Sequence, residues 1–471
     1  MQIPIISGIY ADQNSDFRSA YPRNLIPVAH KQGISNGYLR PADGIVEFAT
    51  GPGLDRGGVN WNGTLYRLMG SSLCSVSASG VVSVLGDVGG TTAQETLDYS
   101  FDKLAVSSNG KFYLWDGTTL AQVTDPDLGQ VIDFIFVDGY FMTTDGNYLV
   151  VTELNNPFAV NPLKYGTAEA DPDPVVGLAK IRNEPYAVGR YTIEVFNNIG
   201  GSLFPFQRVS GAQVMKGALG SHAFTPFALN NFQGLAFLGS GRNEPPSIWF
   251  AVNGTASNLA TREIDSVLQS YSEASLSSAV LETRVDKTHN FIYLHLPDQT
   301  LVYDANTSHQ IGEPVWFILT SSLVEKGQYK ARNLVWAYDK WVSGNPLDSK
   351  LGYFSNSISS HYGSSNAWEF STQIVYNESE GVIFHELELI ALTGNVALGA
   401  DPTIWTSYTT DGVTWSQERP RTAGRQGQRD KRLNWLQQGN MKNWRIQKFK
   451  GSSDAHLSIA RLEARIEALS N

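Results

Sequence analysis

The chain has 471 residues, 42% of them hydrophobic and 17% charged, with 44 glycines, 11 tryptophans and a net charge of −10. This composition excludes a disordered chain, leans toward strands, and argues against a protein built to coat nucleic acid. The length predicts two domains or one large repetitive one, and the single cysteine, Cys74, forbids an intramolecular disulfide and suits assembly in a reducing cytoplasm.

In chain order, the start "MQIPIISGIYADQN" lacks a basic region and a long apolar run, so no secretion signal is expected, and no stretch is apolar enough to insert in a membrane. One theme then recurs: a Gly- or Asn-containing turn followed by a short aromatic or β-branched strand. It appears as "NGTLYRL" (62–68), "NGKFYLW" (109–115), "DGNYLVV" (145–151), "GRYTIEVF" (189–196), "GLAFLG" (234–239), "NFIYLHL" (290–296) and "DKWVSGN" (339–345). The starts lie about 36 to 56 residues apart, the interval that a four-stranded propeller blade needs. Asn-Gly and Asp-Gly supply the positive φ of tight hairpin turns.

"TREIDSVLQSYSEASLSSAVL" (261–281) predicts one or two short helices, with Thr261 as a cap and Ile264, Val267 and Leu268 at helical spacing. "YFSNSISSHYGSSNA" (353–367) reads as a linker. Longer strands follow at 368–378, 381–392, 403–410, 413–418 and 443–450, and they predict a β-sandwich of about 100 residues. The tail "HLSIARLEARIEAL" (456–469) places Ile459, Leu462, Ile466 and Leu469 at heptad spacing, so its pattern fits a helix as well as a strand. The fold class expected is therefore all-β: an irregular β-propeller over 1–365 followed by a C-terminal β-sandwich over 366–471.

Few motifs in the chain carry chemistry. "TSYTTDGVTWSQE" (406–418) resembles the Asp box of sialidases, but the box wants one residue between Asp and Gly, and here Asp411 and Gly412 are adjacent. An Asp-Gly hairpin, with a second strand leaving through Val413, Thr414 and Trp415, is the plainer reading. The acids of "LDYSFDK" (97–103) and "ADPDPVV" (170–176) read as turns and solvated loops rather than the convergent pair of a glycosidase. The eight histidines, His30 to His456, are scattered without metal-ligand spacing, and no phosphate-binding loop occurs; "GPGLDRGG" (51–58) lacks the strand-turn-helix context. No catalytic, cofactor or metal site is expected. Cys74 reads as a small buried apolar residue.

One charge feature stands apart. Residues 418–450 hold ten Lys/Arg and two acids, so this segment is +8 and the rest of the chain −18. Arg419, Arg421, Arg425, Arg429, Lys431, Arg432, Lys442 and Arg445, with Trp435 among them, form a candidate docking loop. Its "GRQGQRDKR" centre reads as an arm that orders on meeting an acidic protein partner rather than a phosphate backbone.

Several stretches resemble one family, the packaged-DNA stabilization proteins of short-tailed bacteriophages, also called tail hub or nozzle proteins. They are "DFRSAYPRNLIPVAHKQGISNGYLRPADGI" (16–45), "MKGALGSHAFTPFA" (215–228), "REIDSVLQSYS" (262–272), "FIYLHLPDQTLVYDANTS" (291–308), and "TSYTTDGVTWSQE" followed by "KRLNW" (431–435). The likeness is weakest between about 60 and 200. It implies a non-enzymatic virion protein of the phage tail, assembled in the host cytoplasm. It further implies a hexameric ring below the portal and its head-to-tail adaptor, which closes the DNA channel after packaging. Such a ring retains the DNA only indirectly, holds a tail needle or plug, and carries tailspikes at its side until ejection. The resemblance also favours a strand for "LSIARLEARIE". The alternative function is a glycan-binding or glycan-cleaving propeller.

Overall fold

Tight turns set the frame. At Asn62-Gly63 both residues take positive φ (50° and 77°), the twist a two-residue hairpin needs, and the flanking strands Asp55–Trp61 and Thr64–Met69 pair across it. The computed structural model describes residues 1–5, 8–11, 17–29, 35, 37–323, 327–377, 380–452 and 455–469. His30 and parts of the 16–45 stretch lie outside the described residues. The described chain falls into two compact units.

One unit comprises Glu47–Pro297 and Lys330–Tyr353. Its first four blades are antiparallel four-stranded sheets, beginning at Asp55, Leu97, Asp133 and Val175. A five-stranded blade from Gly217 to Asn258 follows, and then the hairpin Val280–Asp286/His289–His295. The last sheet, Arg332–Ala337, Lys340–Gly344 and Lys350–Ser355, takes its fourth strand from Gly44–Thr50, so an early segment closes the circle. All seven turn-strand repeats read from the sequence are strands of these sheets. Among the described residues, seven innermost strands succeed one another around a closed ring, the strand at 332–337 returning to the one at 55–61.

The burial pattern follows from this stacking. Each inner sheet has a blade on both faces, so its strands are apolar on both sides. In Leu104–Ser108 every residue is buried; Leu104 and Val106 pack with Trp61 and Leu68 of the first blade, while Ala105 packs with Phe134 and Phe141 of the third. The period of two sends alternate side chains to opposite neighbours. The core is thus a succession of layers between consecutive blades. Cys74 is a buried member of one layer, its thiol pushed up to about 11 first by burial and then by the nearby Asp55 carboxylate.

Two short helices, Arg262–Gln269 and Glu273–Ser277, occupy the predicted region, and Thr261 caps the first by accepting from the Ile264 N–H.

The other unit comprises Met1–Val46, Asp298–Tyr329 and Phe354–Asn471. One sheet runs in the order Leu25–Ala29, Gly37–Pro41, Ile459–Ala468, Val382–Ala391, Leu433–Leu436. The other runs Ala367–Ser371, Trp444–Ser452, Thr403–Thr409, Arg419–Thr422. Between them lies a core of Leu25, Leu39, Trp368, Phe384, Trp435 and Phe449 with their neighbours. The division expected at residue 365 follows chain order; in space, early strands complete the sheet of the late ones.

Several local expectations change. The tail is a strand, Ile459–Ala468, and Ile459 and Leu462 are buried in the sandwich. The heptad spacing is accommodated by register shifts against 382–391. The predicted linker is fixed in place: Ile358 and Ser360 carbonyls accept from Gly44 and Ile45 N–H, and His361 Nδ1 lies 2.9 Å from Ser321 Oγ. A third helix, Ala305–Ile311, was not expected; Asp304 caps it, and Gly312 ends it in the left-handed region. The Asp-Gly turn forms, but the hairpin expected around it does not, because residues 413–418 form no strand. The return strand is Arg419–Thr422, paired with 403–406.

Candidate docking surface and the propeller channel

The basic segment is built into the sandwich. Two of its strands, Arg419–Thr422 and Trp444–Ser452, flank Thr403–Thr409, and Leu433–Leu436 pairs with Val382–Ala391. The connection 423–432, expected to order on docking, is already held. Ala423 N–H donates to the Pro402 carbonyl, Gly427 N–H to Gly394, Arg425 N–H to Gln428 Oε1, and Thr393 Oγ1 to the Gln428 carbonyl.

The nine predicted site residues divide accordingly. Trp435 is fully buried, edge-on to Phe449, with its indole N–H donating to the Arg419 carbonyl. Arg445 is also buried; it donates to the Gln438 carbonyl and to Gln447 Oε1, and lies over the rings of Tyr408 and Phe384. Desolvation pushes its guanidinium down to about 9. These two belong to the core, because strand alternation turns them inward, and they offer nothing to a partner.

Arg419 and Arg421 are exposed but lean on the backbone carbonyls of Leu436, Gln437 and Asn434. Arg432 makes a bidentate pair with Glu388 (2.7 and 2.5 Å), and Arg425 lies 3.5 Å from Asp401. Arg429, Lys431 and Lys442 are exposed and form no ion pair among the described residues. The accessible face therefore offers exposed cations, three of them without an ion pair among the described residues, to a partner's carboxylates.

Asp411 serves the turn. Its Oδ1 accepts from Val413 and Thr414 N–H and from the Thr409 hydroxyl, which holds the carboxyl well below its usual range.

The second concave feature is the propeller channel, a cavity of about 430 Å³ lined by residues of all seven innermost strands, among them Gly58, Asp98, Asp133, Lys180, Glu282 and Asn333. Its carboxylates join consecutive blades. Asp98 accepts from Phe136 N–H (2.7 Å), Asp133 from Thr96 Oγ1 (2.6 Å) and Leu178 N–H (2.8 Å), and Glu282 from Leu334 N–H (2.6 Å). Burial raises Asp98 and pushes Asp133 up to about 7. His222, whose Nε2–H donates to the Gln94 carbonyl at 3.1 Å, is pushed down to about 4 by burial. Asp98, read as a turn residue in the sequence, lies within a strand. These acids were missed, though "VIDFIFV" carried the signal: an acid inside an apolar strand needs a partner. Among the described residues no cluster of three His, Cys, Asp or Glu could hold a metal ion, and no helix is long and apolar enough to cross a membrane.

Two family models match the chain. Residues 1–359 match the one described as bacteriophage P22 Gp10, beta-propeller, and residues 367–467 the one described as bacteriophage P22 Gp10, beta-sandwich. The tail hub protein gp10 of Salmonella phage P22 is 27% identical over 490 residues, covering 99% of both chains. Among solved structures, the Pan2 WD40 domain of Neurospora crassa is similar with a TM-score of 0.42 at 10% identity, over 66% of this chain and 95% of that one. The computationally designed Ika8 protein gives 0.39 at 12%, over 66% and 100%.

A propeller and a sandwich, matched from end to end by a tail hub, define a class: a non-enzymatic structural protein of the bacteriophage tail. Within that class the chain belongs to the P22 Gp10 family.

Proposed function

We propose that the chain forms a hexameric hub ring that closes the channel below the portal and its adaptor after genome packaging. The ring retains the DNA, holds the needle or plug, and carries the tailspikes until ejection. The observation that carries this reading is the correspondence with a tail hub across 99% of both chains, propeller and sandwich together. In sequence, residues 1–365 supply the propeller part and 366–471 the sandwich part.

The physics supports it. A closed ring needs two different, mutually complementary patches on one chain. Confining pressurised DNA calls for interfaces above about 2,000 Å² and for domains that do not yield, such as a propeller whose blades are packed on both faces. Blocking a channel requires no grip on phosphate, which suits an acidic chain.

Quantitative mass spectrometry of purified particles, with the portal as the internal reference, tests this. A fixed ratio of six chains per portal ring is expected, and particles lacking the chain should package DNA and then leak it. Absence of the chain from particles overturns the reading.

A further inference from the structure

The propeller's charge is concentrated. Residues 98–173, which span the second and third blades and the entry to the fourth, hold twelve acids and three bases. The outer strand of the third blade, Asn156–Gly166, pairs only with Leu149–Glu153 among the described residues. It leaves Leu163 and Tyr165 exposed (61% and 50%), and Tyr148 (45% exposed) stands edge-on to Tyr165 at 5.3 Å. Pro157 and Pro162 remove two N–H donors from this strand, which blocks the addition of another strand and leaves a side-chain surface.

Acids border this outer strand at two levels. Leu149 pairs with both Thr144 and Gly166, so the turn carrying Asp145 and the connection carrying Glu169 leave the blade together. The incoming connection is tied to the outer strand where Asp125 accepts from Val160 N–H, and Asp127 follows it. Asp127 and Glu169 are exposed and form no ion pair among the described residues.

An aromatic strand edge bordered by unpaired carboxylates fits a surface of unpaired cations with an apolar neighbour. This chain carries one: Arg429, Lys431 and Lys442 on the sandwich, with Leu436 (54% exposed) on the same basic segment. We propose that the acidic, aromatic edge of the third blade receives the basic sandwich face of a second copy of the chain. The inference rests on the ring reading, since two unlike and complementary patches are what a head-to-tail assembly requires.

The test uses the full chain in sedimentation equilibrium at low and high salt. Wild type should self-associate and should loosen as salt rises. D127K/E169K and R429E/K431E should each fold with unchanged circular dichroism and each weaken self-association at least about tenfold. Mixing the two variants should restore association, because each then presents the charge that the other lacks, and all four substitutions in one chain should restore it too.

A wild type that stays monomeric at low salt, variants that associate normally, or a mixture that does not recover would each overturn the proposal. Restoration in the four-substitution chain without restoration in the mixture would place the contact within one chain and also overturn it. Particle composition decides the hub reading separately. Stoichiometric incorporation of both variants into stable particles would sink this interface and leave the hub standing.

Discussion

A buried arginine with no carboxylate partner is the sharpest residue-level feature. Arg445 is satisfied by one backbone carbonyl, one amide oxygen and two ring faces. R445A removes a large buried side chain and leaves the Gln447 oxygen without its donor, so it should destabilise the sandwich by about 3 to 5 kcal/mol. Hydrogen-exchange protection across 444–452 should fall accordingly; unchanged protection would show that the rings and carbonyls contribute little. The surface cations should behave in the opposite way. R429A/K431A/R432A removes only exposed charges and one exposed pair, so stability should change by less than about 1 kcal/mol, while incorporation into particles drops. Normal incorporation would remove these side chains from docking. The sequence showed the charge of this segment but not its sorting. Spacing alone does not say that Arg445 and Trp435 face inward while Arg429 and Lys431 face out, because the phase of each strand is set by sheets whose partner strands come from distant parts of the chain.

At the scale of elements, the strands of the propeller were legible where a tight turn announced them, whereas the Asp411-Gly412 turn of the sandwich announced none at 413–418. Asn62-Gly63 and its counterparts mark every blade, and each apolar run after such a turn is a strand. The tail was ambiguous because its apolar residues repeat every three or four positions, a spacing that bulges in the pairing with 382–391 absorb. Nothing local said that Leu25–Ala29 would join that sheet, since the pairing spans most of the chain. Close backbone approach was equally hidden. Gly239, within the strand Phe232–Ser240, pairs with Ala218, and a Cβ there would run into the carbonyl oxygen of Gly217. G239A should therefore cost the fifth blade about 3 kcal/mol, read as a lower melting temperature with the sandwich unaffected. A neutral outcome would mean that the strand Gly217–Ala218 can shift without loss.

For the propeller as a whole, closure depends on carboxylates that hold neighbouring blades together while buried, and this ties its stability to pH. Asp133 titrates near 7 in the folded chain against a usual 3.8, because desolvation outweighs its three hydrogen bonds. Asp98, Glu95, Asp55 and Glu194 are raised in the same direction, each chiefly by burial. A carboxyl raised by folding holds its proton longer in the folded state, so its contribution is complete below the unfolded value and is lost as pH rises through the folded one. His222 runs the other way: lowered from 6.5 to about 4, it costs stability as pH falls through that interval. Between about pH 8 and pH 6.5 the carboxyls act alone. Acidification over that range should raise the propeller's melting temperature, with Asp133 contributing on the order of 1 kcal/mol. Below pH 6.5 the gain should flatten as His222 takes effect. D133N keeps an acceptor for Leu178 N–H and turns its amide toward the Thr96 hydroxyl at the loss of the Phe134 N–H bond, so it should fold with a lower baseline stability, resist the loss at pH 8 and show a shallower pH dependence. A melting temperature that falls from pH 8 to pH 6.5, or a D133N profile parallel to that of wild type, would show that these joints are ionised throughout and that closure is held by the interblade apolar layers alone.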